Sequence, residues 1–158
     1  MMDSRWDRHF IRLCEEHARM SKDPSTKVGA VIVGPDRDIR SMGFNGFPRG
    51  IADTSERLKD RETKLGLIVH AECNAIVQAA RVGIPIAGCT LYIAAVDAEN
   101  GIWGGPPCLR CTVHIIQSGI VEVVSLPRKA VPLKWYRDLL LSQAALKEAK
   151  IRYREIEA

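Results

Sequence analysis

Two short stretches carry most of the reactive side chains: His70-Ala71-Glu72, and Pro107-Cys108 with Cys111 three residues further on. Cysteines at i and i+3 share one side of a helix, so the sulfurs of Cys108 and Cys111 converge on one metal ion. Pro106-Pro107-Cys108 reads as a helix start, with proline in the first turn, and a helix amino terminus stabilises thiolate, the form that binds zinc. One imidazole, from His70, completes three protein ligands. A tetrahedral zinc then keeps one open position for a water whose pKa falls to roughly 7. Glu72 sits too close to His70 to be an innocent surface acid, and it has a definite task there. It takes a proton from that water and delivers it to substrate, as general base and then general acid. Attack on an amidine-like carbon followed by loss of ammonia is hydrolytic deamination. A C-x-x-C pair by itself also fits a redox pair, or half of a structural zinc site with Cys73 or Cys89 as the nearest fourth ligand. Neither of those readings uses Glu72.

The elements that must position these residues are legible from periodicity. Trp6, Phe10, Leu13, Cys14, His17 and Met20 recur at helical spacing, which predicts an amphipathic helix over about 3–20. A β-branched run at 28–33, the turn Gly34-Pro35-Asp36 and a second strand at 39–44 read as a hairpin. Three glycines and a proline within 43–50 forbid regular structure there, and the polar stretch 53–64 reads as a surface excursion. A helix is predicted from His70 to Val82, stopped by Gly83 and Pro85. Leu91–Val96 is the clearest buried strand. The segment 97–105 reads as a loop holding Trp103, followed by the Cys108 helix, a strand at 120–126, a helix at 135–150 and an edge strand at 151–156. This alternation predicts an α/β fold, a three-layer α/β/α sandwich on a mixed sheet of about five strands, as one domain over 1–158.

Composition narrows the class. With 158 residues, 46% hydrophobic and 27% charged, the chain has material for one core and is neither disordered nor fibrous. Its longest apolar run, Leu91 to Val96, is far short of the ~20 residues that cross a bilayer. The opening MMDSRWDRHF offers no apolar signal-peptide core. Five cysteines cannot all pair within one chain, so a reducing cytoplasm is expected. The net charge of +4 is dispersed, which suits a small anionic partner and argues against nucleic acid.

The H-x-E and P-C-x-x-C pattern is the known signature of zinc nucleobase deaminases. The chain resembles the cytidine and deoxycytidylate deaminase superfamily, and within it most resembles the deoxycytidylate (dCMP) deaminases. The resemblance is carried by Ser21-Lys22-Asp23-Pro24, Val28–Val33, Gly43-Phe44-Asn45-Gly46-Phe47-Pro48-Arg49-Gly50, His70-Ala71-Glu72 and Ser118-Gly119-Ile120, and spans about 6–124. It implies His70, Cys108 and Cys111 as zinc ligands and Glu72 as the catalytic proton shuttle. It further implies that Asn45 bonds the sugar, that the Ala71 backbone reads the pyrimidine edge, and that Ser21 and Lys22 contact phosphate. The implied reaction turns dCMP into dUMP for thymidylate synthesis. In many relatives dCTP with Mg²⁺ activates and dTTP inhibits; Arg49, Phe44, Gly46 and Arg81 are the matching effector positions. A homo-oligomer is implied, a hexamer or otherwise a dimer or tetramer. Other substrates in the same class are cytidine, a modified cytosine nucleotide, a riboflavin precursor or tRNA adenosine, and a non-catalytic nucleotide-binding module is the rival outside it. The chain departs from the pattern by the insertion at 97–105, by Phe44 where tyrosine is common, and by lacking flanking aromatics in the basic Pro127-Arg128-Lys129.

Overall fold

Side chains alternate between two buried faces along the central strands, and this dictates the layering. In the computed structural model, which describes residues 4–99, 101–129 and 133–157, Ala30 and Ile32 face one side of β1 (Lys27–Val33) while Val31 and Val33 face the other. The same split separates Leu91 and Ile93 from Tyr92 and Ala94 on β3 (Thr90–Asp97), and Val123 from Val124 on β5 (Glu122–Ser125). A sheet apolar on both faces must be covered on both. Helix α1 (Ser4–Ala18) covers one face through Phe10, Ile11 and Cys14. The other face is covered by α4 (Ala71–Val82), α5 (Leu109–Gln117) and Leu146 of α6 (Leu133–Glu148).

The sheet runs β2-β1-β3-β5-β6, with β2 at Ile39–Phe44 and β6 at Arg152–Glu155. β2, β1 and β3 are antiparallel neighbours; β3, β5 and β6 are parallel, joined by crossovers through α5 and α6. The expected three-layer mixed α/β arrangement is therefore present, with two differences. The sheet has a sixth strand: within 97–105, Gly101–Trp103 forms β4, which pairs antiparallel with the end of β3, so this segment is a β-arm and not a loop. The polar excursion also contains two short helices, α2 (Ser55–Lys59) and α3 (Arg61–Leu67), whose first turns are capped by Thr54 and Asp60. Among the described residues no helix is long and apolar enough to cross a membrane.

One glycine matters to the site. At Gly43 on β2 a Cβ would collide with the carbonyl of Ala71 and the amide of Ala75. The bare backbone is what lets α4 lie directly on the sheet. The position of α4's first turn, where His70, Ala71 and Glu72 sit, depends on that contact.

Candidate active site

Two helix amino termini meet at the site. His70 is the N-cap of α4 and Cys108 the N-cap of α5, and neither makes a side-chain cap hydrogen bond. Their side chains are thereby left for something else. His70 Nδ1 lies 3.3 Å from Cys108 Sγ and 3.4 Å from Cys111 Sγ, and the three donor atoms fall within 4.8 Å of one another. A tetrahedral zinc, at ~2.3 Å from sulfur and ~2.0–2.1 Å from nitrogen, separates such donors by roughly 3.5 Å. The donor set and its spacing fit that ion. The turn before Cys108 is held from α6: the Ser142 hydroxyl donates to the Pro107 carbonyl at 2.6 Å, and Asp138 accepts from the Leu109 N–H at 3.0 Å.

Electrostatics favour the charged forms of Cys108 and His70. Hydrogen bonding from Cys111, helped by His70, lowers the Cys108 thiol to about 4 against the cost of burial. The bond to Cys108 in turn raises His70 to about 9. Cys111 is pushed up by its bonds with Cys108 and Cys73. Glu72, in the first turn of α4, is only 6% exposed. Burial raises its pKa, and the Cys108 charge adds to the effect while His70 opposes it. A raised carboxyl pKa beside three metal-type donors is the kind of environment in which acid–base groups work.

The site opens into a cleft of about 460 Å³, lined among others by His70, Ala71, Glu72, Cys108 and Asn45. Ala71 is the first residue of α4, so its N–H has no acceptor within the helix. Asn45 is buried; its Oδ1 accepts from the Val28 N–H at 2.8 Å and its Nδ2 donates to the Thr26 carbonyl at 3.0 Å. Ser21 and Lys22 do not line the cleft. The buried Ser21 hydroxyl donates to the Asn45 carbonyl, and the exposed Lys22 ammonium pairs with Asp53 at 2.9 Å. The candidate effector residues also lie elsewhere. Arg49 bonds Gln78 Oε1 on the surface, Arg81 is exposed in the last turn of α4, and the Phe44 ring abuts His17. Gly46 bridges Val69 through two backbone hydrogen bonds, which fixes the approach to His70.

The cleft also contains residues with no motif to announce them. Lys64 of α3 reaches Asp23 at 3.0 Å, Trp103 comes from the β4 arm, Arg128 and Lys129 follow β5, and Trp135 comes from α6. The sequence marks Asp23-Pro24 as part of a turn, Trp103 as part of the 97–105 insertion and Arg128-Lys129 as a basic stretch; Asp23 Oδ1 accepts from the Ser25 and Thr26 amides. Cys73 stands 3.6 Å from Cys111, sulfur to sulfur, on the far side of the cluster from Glu72's cleft: it lines a separate depression with Val77 and His114.

Comparison with known proteins adds four findings. Residues 4–126 match the family described as the cytidine and deoxycytidylate deaminase zinc-binding region. The chain is 35% identical over 151 residues to an uncharacterized deaminase from the luxG 3′ region of Aliivibrio fischeri, covering 95% of this chain and 92% of that one. It is also 35% identical over 131 residues to the deoxycytidylate deaminase of Mus musculus, covering 78% of this chain but 66% of the mouse protein. The crystal structure of the cyanophage S-TIM5 dCMP deaminase with dCMP and dUMP shares the fold, with a TM-score of 0.71 at 21% identity over 99% of this chain and 100% of that one.

Proposed function

Since the chain belongs to the cytidine and deoxycytidylate deaminase zinc-binding family, we propose that it hydrolyses dCMP to dUMP and ammonia. One observation carries the reading: a buried Glu72, its pKa raised by that burial, shares a cleft and a helix turn with His70, beside the Cys108–Cys111 pair. His70, Cys108 and Cys111 are the residues that would hold zinc, which when bound supplies a Lewis acid able to activate water near neutral pH. Glu72 takes one proton from the attacking water at its carboxylate oxygen and passes it to the pyrimidine ring nitrogen. It then takes the second from the hydroxyl added to the ring carbon and passes it to the departing amino group, so that the C–N bond breaks as the carbonyl forms and water and dCMP yield dUMP and ammonia. Ala71 offers a backbone N–H at the start of α4 to the pyrimidine edge. Asn45, braced by Ser21, presents its amide to the sugar.

The similarity to proteins named deoxycytidylate deaminase supports dCMP over other amine-bearing substrates. An ammonia-release screen over dCMP, CMP, deoxycytidine, dCTP and adenine nucleotides tests it: dCMP gives the highest kcat/KM, and a stronger response to any other substrate overturns the assignment. In the same reading dCTP with Mg²⁺ and dTTP act on the Gly43–Gly50 segment and Arg49 in a homo-oligomer. Repeating the screen with each effector present tests that.

A further inference from the structure

Three cations line the cleft, and they are not equivalent. The Lys64 ammonium, its side chain 17% exposed, is already paired with Asp23 and touches Ser25 Oγ. Lys129 is paired with Asp97 and lies 4.2 Å over the Trp103 ring, whose Nε1 donates to the same carboxylate at 2.8 Å. Each of those charges is answered by a carboxylate. Arg128 differs: among the described residues it forms no salt bridge, and its guanidinium lies 5.2 Å from the Tyr136 ring of α6. Of the cleft's acids, Asp138 is bound to the Leu109 amide, Asp23 to Lys64, and Glu72 is the proton carrier.

The location is built. Arg128 follows the carboxyl end of β5, the end of a parallel strand at which open α/β sheets bind ligands. The β4 arm is laced to this segment: Gly104 N–H donates to the Pro127 carbonyl, Gly105 N–H donates to Ser125 Oγ, and a Cβ at Gly104 would collide with the Leu126 backbone. Arg128's own side chain packs against Gly105. A guanidinium oriented by an aromatic face and a fixed backbone is pre-organised for a two-pronged bond to a phosphoryl group.

We infer that Arg128, held by the β4 arm, is the residue that reads the substrate's 5′-phosphate and so makes the site select a nucleoside monophosphate over the nucleoside. This places phosphate recognition on the side of the cleft formed after β5, away from the Ser21-Lys22 turn. The enzymatic part rests on the deaminase reading above; the binding part does not.

The test has two arms on the zinc-loaded protein. First, kcat/KM is compared for dCMP and deoxycytidine in wild type, Arg128→Gln and Arg128→Lys. Second, ³¹P NMR measures binding of inorganic phosphate to the same proteins, with Lys64→Gln as comparator and melting temperature as the check on folding. Charged hydrogen bonds of this kind predict that Arg128→Gln cuts kcat/KM for dCMP by ~10–100-fold, chiefly through KM. The loss on deoxycytidine is at least several-fold smaller. Phosphate binding weakens in parallel, and Arg128→Lys recovers part of both. Equal losses on the two substrates, or phosphate binding that depends on Lys64 and not on Arg128, overturn the inference. If wild type ignores dCMP yet binds phosphate through Arg128, the dCMP assignment fails and the phosphate site stands.

Discussion

The Ser142 hydroxyl tests how far α6 holds the metal-binding turn in place. It is fully buried, donates to the Pro107 carbonyl at 2.6 Å and meets the equally buried Thr112 hydroxyl at 2.7 Å. In Ser142→Ala, Thr112 still has the Cys108 carbonyl at 3.0 Å, but its reach to Pro107 is 3.4 Å, so the Pro107 carbonyl is left nearly stranded. A buried acceptor without its donor costs ~1–3 kcal/mol. Taking ~2 kcal/mol, and ~2–4 °C per kcal/mol at this chain length, melting falls by roughly 4–8 °C. Because Pro107 precedes the ligand Cys108, zinc release to a chromogenic chelator also quickens. Adding Thr112→Val in the same background costs less than the two single losses summed, since the partnership is already broken. Calorimetry on the four proteins reads the cycle. A Ser142→Ala variant melting within ~1 °C of wild type, with strict additivity in the double variant, would mean that Ser142 does not brace the Pro107 turn.

Gly43→Ala forces a Cβ into the backbone of α4. Overpacking of this kind costs ~1–3 kcal/mol, and by displacing His70 it weakens zinc binding by about tenfold or more, measured by competition with a chelator; unchanged affinity and melting contradict the role given to that contact. Asp7 supplies an acid-side prediction. Burial pushes its carboxyl up, but the hydrogen bonds from Arg154 and Tyr92 outweigh this and leave its pKa below the usual carboxylate range. Its stabilisation is therefore complete above the unfolded-state pKa of about 4 and is lost as pH falls through the lower folded value. Asp7→Asn flattens that part of the stability–pH curve, and an unaltered acid slope by denaturant titration argues against it.

Local chemistry was legible in the chain and distant chemistry was not. Val28–Val33 and Leu91–Val96 announce strands because β-branched and apolar runs admit little else. His70, Glu72, Cys108 and Cys111 stand out because each pair sits at a fixed offset on a helix start. β4 escapes detection because Gly101-Ile102-Trp103 is too short to show alternation, and its partner lies across a turn. α2 and α3 have almost no apolar stripe: Leu58 is buried in the first and none in the second, so caps alone define them. Trp135, which its spacing suggests is ordinary helix packing, is 48% exposed and forms part of the cleft wall. Cys73 has the composition of a core residue yet approaches Cys111. Asp138, Ser142 and Arg128 come to the site through the β5–α6 return, and no spacing along the chain encodes that closure.

A three-donor zinc site served by Glu72 makes a joint demand on metal content and turnover, read by measuring zinc stoichiometry and ammonia release from dCMP together, in wild type and Glu72→Gln. The prediction is one zinc per chain in both proteins, with turnover in the variant down by ~10²–10⁴-fold. Zinc absent from folded, active wild type, or near-normal turnover by Glu72→Gln, contradicts it.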